Sequence, residues 1–143
     1  MRFLIINGPN LNLLGQREPE IYGTQTYEEL CKLVAAYAAA NGDTADFVQS
    51  NHEGALIDAI QNAQGRYDGI VINPAAYTHY SYALYDALRA VDVPAAEVHL
   101  SDITAREPWR QKSVTAPACI GSISGHGFAG YTEAMALIRE YLP

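Results

Sequence analysis

The chain has 143 residues, of which 49% are hydrophobic and 17% are charged. This length fits one domain with its own core, and the ordinary apolar content argues against disorder as the main state. The net charge of −7 argues against nucleic acid and anionic membranes as partners, and the longest apolar stretch, residues 33–40, is too short to cross a membrane.

Strands and helices alternate along the chain. In order, the apolar runs and their boundaries predict a strand at residues 2–7, a helix from Thr26 to about Ala40, a strand at 44–49, a helix at 53–63, a strand at 68–73, a helix at 81–90, strands at 95–100 and 118–124, and a helix at 131–141. Thr26 and Glu29 have the spacing of a capping box, and Asn41-Gly42 is a typical helix end. The pattern predicts a single domain over residues 1–143 that is a flavodoxin-like three-layer α/β sandwich, with a five-stranded parallel sheet in the order 2-1-3-4-5.

The cysteines and the start of the chain bear on its compartment. Cys31 and Cys119 lie far apart and have no metal-type spacing, so we expect two buried free thiols. The apolar start ends at Asn7, which is too early for a signal peptide. We therefore expect a cytoplasmic protein.

Polar segments follow every predicted strand, at the sheet edge where α/β proteins bind their ligands. All four histidines lie in these segments, which are residues 7–12, 50–54, 73–79, 99–102 and 124–127. Each segment alone also fits an ordinary turn, because Asn, Gly and Pro favour turns. Their joint placement predicts a polar small-molecule site at this edge.

The connection over residues 8–24 is long for a strand-to-helix loop, which is typical of a lid. It carries Arg17, Glu18 and Tyr22. A tyrosine near an arginine can be an ordinary surface pair. Alternatively, the positive charge favours the tyrosinate, which could then act as a general base.

Two further pairs of residues could take part in catalysis or in ligand binding. Glu97 and His99 are two apart on a predicted strand, so they point to one side, where the carboxylate can fix the imidazole tautomer and favour a proton donor. The pair could equally be a buried structural one. Arg106 and Arg110 are one helical turn apart and could hold a carboxylate together, or could be exposed arginines on a helix.

Other chemistries lack residues to carry them. Neither lysine, Lys32 or Lys112, follows a strand, which argues against imine catalysis, and no zinc spacing or Gly-x-Ser-x-Gly turn is found in the sequence. Residues 125–130 match Gly-x-Gly-x-x-Gly, but they follow the last strand and the expected ribose-binding acid would lie past Pro143. We therefore expect a close-packed anion-binding turn there and no dinucleotide site.

A composite motif extends over nearly the whole chain. Its segments are residues 7–15 (NGPNLNLLG), 17–19 with 22–23 (REP and YG), 49–54 (QSNHEG), 73–79 (NPAAYTH), 97–101 (EVHLS) and 106–110 (REPWR). In this order they resemble the type II 3-dehydroquinate dehydratases. The resemblance implies a dodecamer built as a tetramer of trimers. It also implies conversion of 3-dehydroquinate to 3-dehydroshikimate in the shikimate pathway, by anti elimination through an enolate, with no metal and no cofactor.

The resemblance also implies a role for each site residue. Tyr22 would remove the C2 proton next to the ketone, and Arg17 would stabilise the tyrosinate. His99 would protonate the departing C1 hydroxyl, Glu97 would orient His99, and Asn10 would stabilise the enolate through a water. The positions that match substrate-binding residues are Asn73, His79, Leu100, Ser101 and Arg110, with Asp86 reaching the site of a neighbouring subunit. Leu100 and Ser101 would act through backbone N–H groups, because leucine has no polar side chain.

This assignment agrees with the inventory of groups, since dehydration beside a ketone needs one base, one acid and donors to an enolate. Departures from the family pattern are Tyr80, Tyr82, Tyr85, Asp102 and Trp109. We expect Tyr82 and Tyr85 to fill a subunit interface, because exposed aromatic residues commonly mark one.

The sequence also allows three other hypotheses about function. The domain could bind or signal without catalysis, although Asn7 and Asn10 stand where a receiver domain would need acids. It could be another cofactor-free lyase or isomerase that acts next to a carbonyl. It could also be an inactive relative of the family.

Overall fold

The computed structural model describes residues 1–16, 18–22 and 24–143, and only the backbone of residues 21 and 22. The strands are β1 (Arg2–Asn7), β2 (Thr44–Gln49), β3 (Gly69–Asn73), β4 (Ala95–His99) and β5 (Gly121–Ser124). The helices are α1 (Pro19–Tyr22), α2 (Tyr27–Ala40), α3 (Glu53–Asn62), α4 (Tyr82–Ala90) and α5 (Ala129–Tyr141). In the described part of the chain, no helix is long and apolar enough to cross a membrane.

The strands form one parallel sheet in the order β2-β1-β3-β4-β5, which confirms the predicted topology. The register brings the polar ends of neighbouring strands level with one another. Asn7 pairs with Gln49 on one side and with Asn73 on the other, and His99 pairs with Ser124. The polar residues that follow the strands therefore gather at one edge.

Alternate residues of the central strands pack on opposite faces, because side chains alternate along a strand. Phe3 and Ile5 of β1 belong to a core with α2 and α5, whereas Leu4 and Ile6 belong to a core with α3 and α4. Glu97 and His99 share the face of Ala95, on the side of α3 and α4. Both faces of the sheet are thus covered by helices, as in a three-layer sandwich.

Helix boundaries follow local sequence signals. The Thr26 hydroxyl accepts a hydrogen bond from the Glu29 backbone N–H at 3.2 Å, which confirms it as the cap of α2. Asn41 ends this helix, and Ser81 caps α4 by accepting from the Leu84 N–H at 3.1 Å.

Several details differ from the predictions. The long connection after β1 contains a 3-10 turn at Leu11–Leu13 and the short helix α1, so the described part of the expected lid is structured. β5 begins three residues late, because a 3-10 turn at Ala116–Ala118, with Pro117 in it, precedes the strand. The two cysteines are free as expected but only half-buried, and burial followed by the charge of Glu97 raises the pKa of Cys119 to about 12.

Candidate active site

A cleft opens at the carboxyl ends of β1, β3 and β4, close to the point where the strand order reverses. The empty space within it, including open solvent at its mouth, is about 610 Å³. Its polar lining consists of Asn10, Asn73, His79, His99, Ser101, Arg106 and Arg110, and its remaining walls come from Pro9, Leu11, Ala75, Ala76, Leu100 and Ile103. Seven of the predicted site residues, Asn10, Asn73, His79, His99, Leu100, Ser101 and Arg110, therefore meet in one place.

His99 and Glu97 form a hydrogen-bonded pair at the wall of this cleft. The His99 Nε2 lies 2.8 Å from the Glu97 Oε2, and both residues are buried. Because Nε2 is held by the carboxylate, Nδ1 is the ring nitrogen that remains for a ligand. The pair has the geometry of an oriented proton donor.

Glu97 lies behind His99 and is fully buried. Burial alone would raise the pKa of this carboxyl, but hydrogen bonds from His99, Thr115 and Ser113, together with the charge of His99, outweigh it and lower the pKa. The carboxylate is therefore the favoured form in the folded protein.

The lowered pKa of Glu97 makes stability depend on pH. A carboxyl group whose pKa is lower in the folded than in the unfolded protein stabilises the fold at pH values above its ordinary pKa, here 4.5. This stabilisation is lost as the pH falls through the folded pKa. We expect Glu97→Gln to lower the free energy of unfolding most at neutral pH, with a difference that narrows below about pH 4.5. Denaturant titrations at several pH values test this, with the exposed Glu140→Gln as control; an equal loss at all pH values would contradict it.

Two arginines give the cleft a positive wall in an otherwise acidic protein. They do not share a helix, although their spacing suggests one: Arg106 follows a 3-10 turn at Ile103–Ala105, and Arg110 ends another at Pro108–Arg110. Pro108 between them disfavours a continuous helix. Both nevertheless line the cleft, and both approach Glu107, with Nε–oxygen distances of 3.6 Å for Arg106 and 2.8 Å for Arg110. The site can therefore hold an anionic ligand such as a carboxylate.

His79 lines the cleft beside Trp109 and Arg110. Its Nδ1 lies 2.7 Å from the Lys112 carbonyl oxygen, so Nδ1–H donates and Nε2 is left for other partners. Burial, with the nearby charges of His99 and Arg110, lowers the pKa of His79 although the Lys112 carbonyl opposes this. Trp109 contacts His79 edge-on at 5.4 Å and lies 4.0 Å from the Arg110 guanidinium. Trp109, which departs from the family pattern, thus packs between the predicted binding residues His79 and Arg110.

The asparagines at the cleft are held by backbone geometry. Asn10 has a left-handed backbone (φ 70°), and its N–H donates to the Asn51 Oδ1 at 3.0 Å. Gly8 packs so closely against Pro74 that an added Cβ would lie 2.5 Å from the Pro74 carbonyl oxygen, so a larger residue does not fit. This close approach fixes the path of the chain into the segment that carries Asn10.

A buried network supports Asn73 from below. The Asn73 Nδ2 donates to the Tyr131 hydroxyl at 3.0 Å, and that hydroxyl donates to the Asn7 Oδ1 at 2.6 Å. The Asn73 Oδ1 accepts from the Ala75 N–H at 3.0 Å. Much of this side chain is therefore committed to the fold, and one N–H of its amide is left outside these bonds.

The segment after β4 packs against the turn after β5. The Leu100 carbonyl accepts from the Gly127 N–H at 3.1 Å, and the Ser101 carbonyl accepts from the Ser124 hydroxyl at 3.0 Å. The predicted anion-binding role of residues 125–130 is not supported, because the Gly125 and Gly127 N–H groups already donate to β4 and its end. The turn is close-packed as expected, since a Cβ at Gly130 would contact Val98 at 3.3 Å.

Three further predicted site residues are Arg17, Tyr22 and Asp86. Arg17 and the side chain of Tyr22 lie outside the described residues, although the backbone of Tyr22 ends α1. Asp86 is exposed on α4 and is absent from the described lining. Asp102 does not line the cleft either; its Oδ1 accepts from the Thr104 N–H at 3.0 Å and hydroxyl at 2.7 Å.

Sequence reasoning missed the residues that surround Glu97. Thr78, Ser113 and Thr115 place their hydroxyls on this carboxylate. A sequence signal existed only for Thr78, which lies inside the segment 73–79 that the motif includes. Ser113 and Thr115 lie beyond the last matching segment.

Fold and cleft together define a flavodoxin-like α/β protein whose cleft holds a buried Glu–His pair and two arginines. The family model "Dehydroquinase class II" matches residues 1–139. The chain is 52% identical to a 3-dehydroquinate dehydratase of Clostridium acetobutylicum over 99% of both chains. The crystal structure of a type II dehydroquinase from Butyrivibrio crossotus superposes with a TM-score of 0.95 at 50% identity, over 97% of both chains. One from Propionibacterium acnes gives a TM-score of 0.91 at 39% identity, over 96% of both chains.

The chain belongs to the class II dehydroquinase family. This confirms the resemblance read from the six sequence segments and excludes a signalling domain as its family. It is therefore a type II dehydroquinase, which is a hydro-lyase.

Proposed function

We propose that the protein dehydrates 3-dehydroquinate to 3-dehydroshikimate in the shikimate pathway, through an enolate, with Tyr22 as base and His99 as acid. The observation that carries this proposal is the buried Glu97–His99 pair at the wall of the cleft, with a 2.8 Å hydrogen bond. The family's dehydration needs a proton donor for a departing hydroxyl, and this pair supplies one.

The reaction divides into two steps with separate partners. In the first, the Tyr22 tyrosinate takes the C2 proton, and the electron pair of the broken C–H bond forms the enolate with the C3 ketone. In the second, the enolate collapses, the C1–oxygen bond breaks, and His99 donates a proton so that water leaves. Arg17 stabilises the tyrosinate, and Asn10 stabilises the enolate through a water.

The substrate-binding roles rest on the placement of the cleft residues. Arg106 and Arg110 supply positive charge for the substrate carboxylate or its neighbouring oxygens. Asn73 and His79 offer hydrogen-bonding groups for hydroxyls, and Leu100 and Ser101 offer backbone N–H groups. Both carbonyls of the last two residues already accept hydrogen bonds, which favours their N–H groups as ligand contacts.

The assembly is proposed on the same grounds. Twelve subunits in four trimers would let the exposed Asp86 reach the site of a neighbour. Tyr82 is exposed and Tyr85 half-buried on α4, as expected of interface residues in an isolated subunit. A monomer in sedimentation would contradict the role of Asp86 and the interface role of the two tyrosines.

The cytoplasmic location and the single catalytic domain also stay predictions.

An ultraviolet assay tests the proposed function, because the product has a conjugated enone and the substrate has none. We expect absorbance to rise when purified protein meets 3-dehydroquinate without added metal or cofactor. The rise should survive a chelator and borohydride treatment, since an enolate route needs neither a metal nor an imine. If a folded oligomer gives no rise in absorbance, the proposed substrate is contradicted. The remaining alternatives are then another lyase or isomerase that acts beside a carbonyl, or an inactive family member. Loss of activity with borohydride and substrate would contradict the enolate.

A further inference from the structure

Three side-chain hydroxyls surround the carboxylate of Glu97. The Glu97 Oε2 accepts from Ser113 Oγ at 2.7 Å and from Thr78 Oγ1 at 3.1 Å, and Oε1 accepts from the Thr115 hydroxyl. The hydroxyls also contact one another, with Thr78 Oγ1 at 2.7 Å from both Ser113 Oγ and Thr115 Oγ1. Thr78 and Thr115 are fully buried. We call these three residues the hydroxyl cage.

The carboxylate that the cage holds leaves the His99 ring a single way to bond with Glu97. An ionised carboxylate only accepts hydrogen bonds, so each neighbouring hydroxyl turns its proton toward it or toward another member of the cage. The His99 Nε2, at 2.8 Å from Oε2, must then also be a donor. The proton on Nε2 fixes the tautomer of neutral His99 and leaves Nδ1 as the nitrogen that exchanges a proton with the cleft.

The cage also joins the segments that carry the binding residues. Thr78 directly precedes His79, and Ser113 follows Arg110 by three residues. The Val114 N–H donates to the Thr78 carbonyl at 2.7 Å, so the two segments are bonded through backbone as well. The orientation of Glu97 is therefore tied to the walls of the cleft.

We propose that Thr78, Ser113 and Thr115 are positioning residues for the general acid: they hold Glu97 charged and in one orientation, and so keep the proton of neutral His99 on Nε2. This inference rests on the proposed function for its effect on turnover. Its effect on the His99 tautomer does not need substrate.

Kinetics of three variants test the first effect. Thr115→Val removes the hydroxyl at nearly constant shape, and we expect kcat to fall on the order of tenfold with little change in KM, the loss expected for one hydrogen bond to a charged group. Thr115→Ser keeps the hydroxyl and should restore most of kcat. Thr132→Val is the matched control, because the Thr132 hydroxyl donates to the Ala129 carbonyl at 3.0 Å on α5, across the sheet.

Equal kcat in Thr115→Val and wild type would overturn the proposal, as would equal losses in Thr115→Val and Thr115→Ser. If Thr115→Val does not fold, Ser113→Ala decides by the same criteria. A wild-type protein that leaves 3-dehydroquinate unchanged would instead overturn the proposed function.

Nitrogen NMR of histidine-labelled protein tests the second effect without substrate. His99 is assigned by comparison with His99→Ala, at alkaline pH where imidazoles are neutral. We expect the wild type to show a protonated Nε2 and a bare Nδ1, and the Ser113→Ala/Thr115→Val double variant to show partly averaged shifts at both nitrogens. The same tautomer in the double variant would overturn the proposal even if the enzyme is active.

Discussion

Replacing Tyr22 by phenylalanine is expected to lower kcat by about 10²- to 10⁴-fold while KM changes little. The substitution removes only the phenolic oxygen, so the shape of the ring is kept. A catalytic base acts in the transition state and does not hold the substrate, so its loss lowers kcat and leaves KM nearly unchanged.

Steady-state kinetics with 3-dehydroquinate measure this, and Tyr141→Phe is the matched control. Tyr141 ends α5, is 62% exposed and is not among the described residues that line the cleft. Near-normal turnover in Tyr22→Phe would contradict Tyr22 as the base.

The second large effect is expected for His99→Ala. Loss of the imidazole removes the donor to the departing hydroxyl and leaves the buried Glu97 carboxylate without one of its partners. We expect kcat to fall by about 10²- to 10⁴-fold. Circular dichroism separates this loss from misfolding, since a buried charge that loses a partner also destabilises the protein.

His126→Ala controls for the general effect of removing a histidine from this edge of the sheet. His126 lies in the turn after β5 and pairs with Glu133 at 2.7 Å, and its side chain is 55% exposed. A change in His99→Ala that is confined to KM would make His99 a binding residue and contradict its role as acid.

The fold was predictable because local signals and the global pattern agree. Apolar runs ended by Asn-Gly-Pro or Asn-Pro marked β1 and β3, and Thr26 marked the start of α2. The placement of polar residues after each strand then predicted the edge that holds the cleft, since parallel strands end together. Glu97 and His99 were predictable as a pair, because two residues that are two apart on a strand share a face.

Contacts between distant segments were not predictable. Thr78 meets Thr115 across 37 positions of sequence, and nothing local to either residue indicates the carboxylate between them. Asn73 was expected at the substrate, yet it also bonds to Tyr131, which comes from a helix 58 positions away. The spacing of Arg106 and Arg110 indicates one helix, but Pro108 between them disfavours a continuous helix.

Hydrogen exchange at C2 of 3-dehydroquinate in deuterium oxide tests the central claim most directly: that one residue makes the enolate and another completes the elimination. Proton NMR follows the C2 signal in the presence of each variant, with spontaneous exchange subtracted. The account predicts that His99→Ala still exchanges one C2 proton for deuterium although it forms almost no product, because Tyr22 is intact. It also predicts that Tyr22→Phe exchanges no faster than buffer. Enzyme-dependent exchange in Tyr22→Phe, or its loss in a folded His99→Ala, would contradict this division of roles.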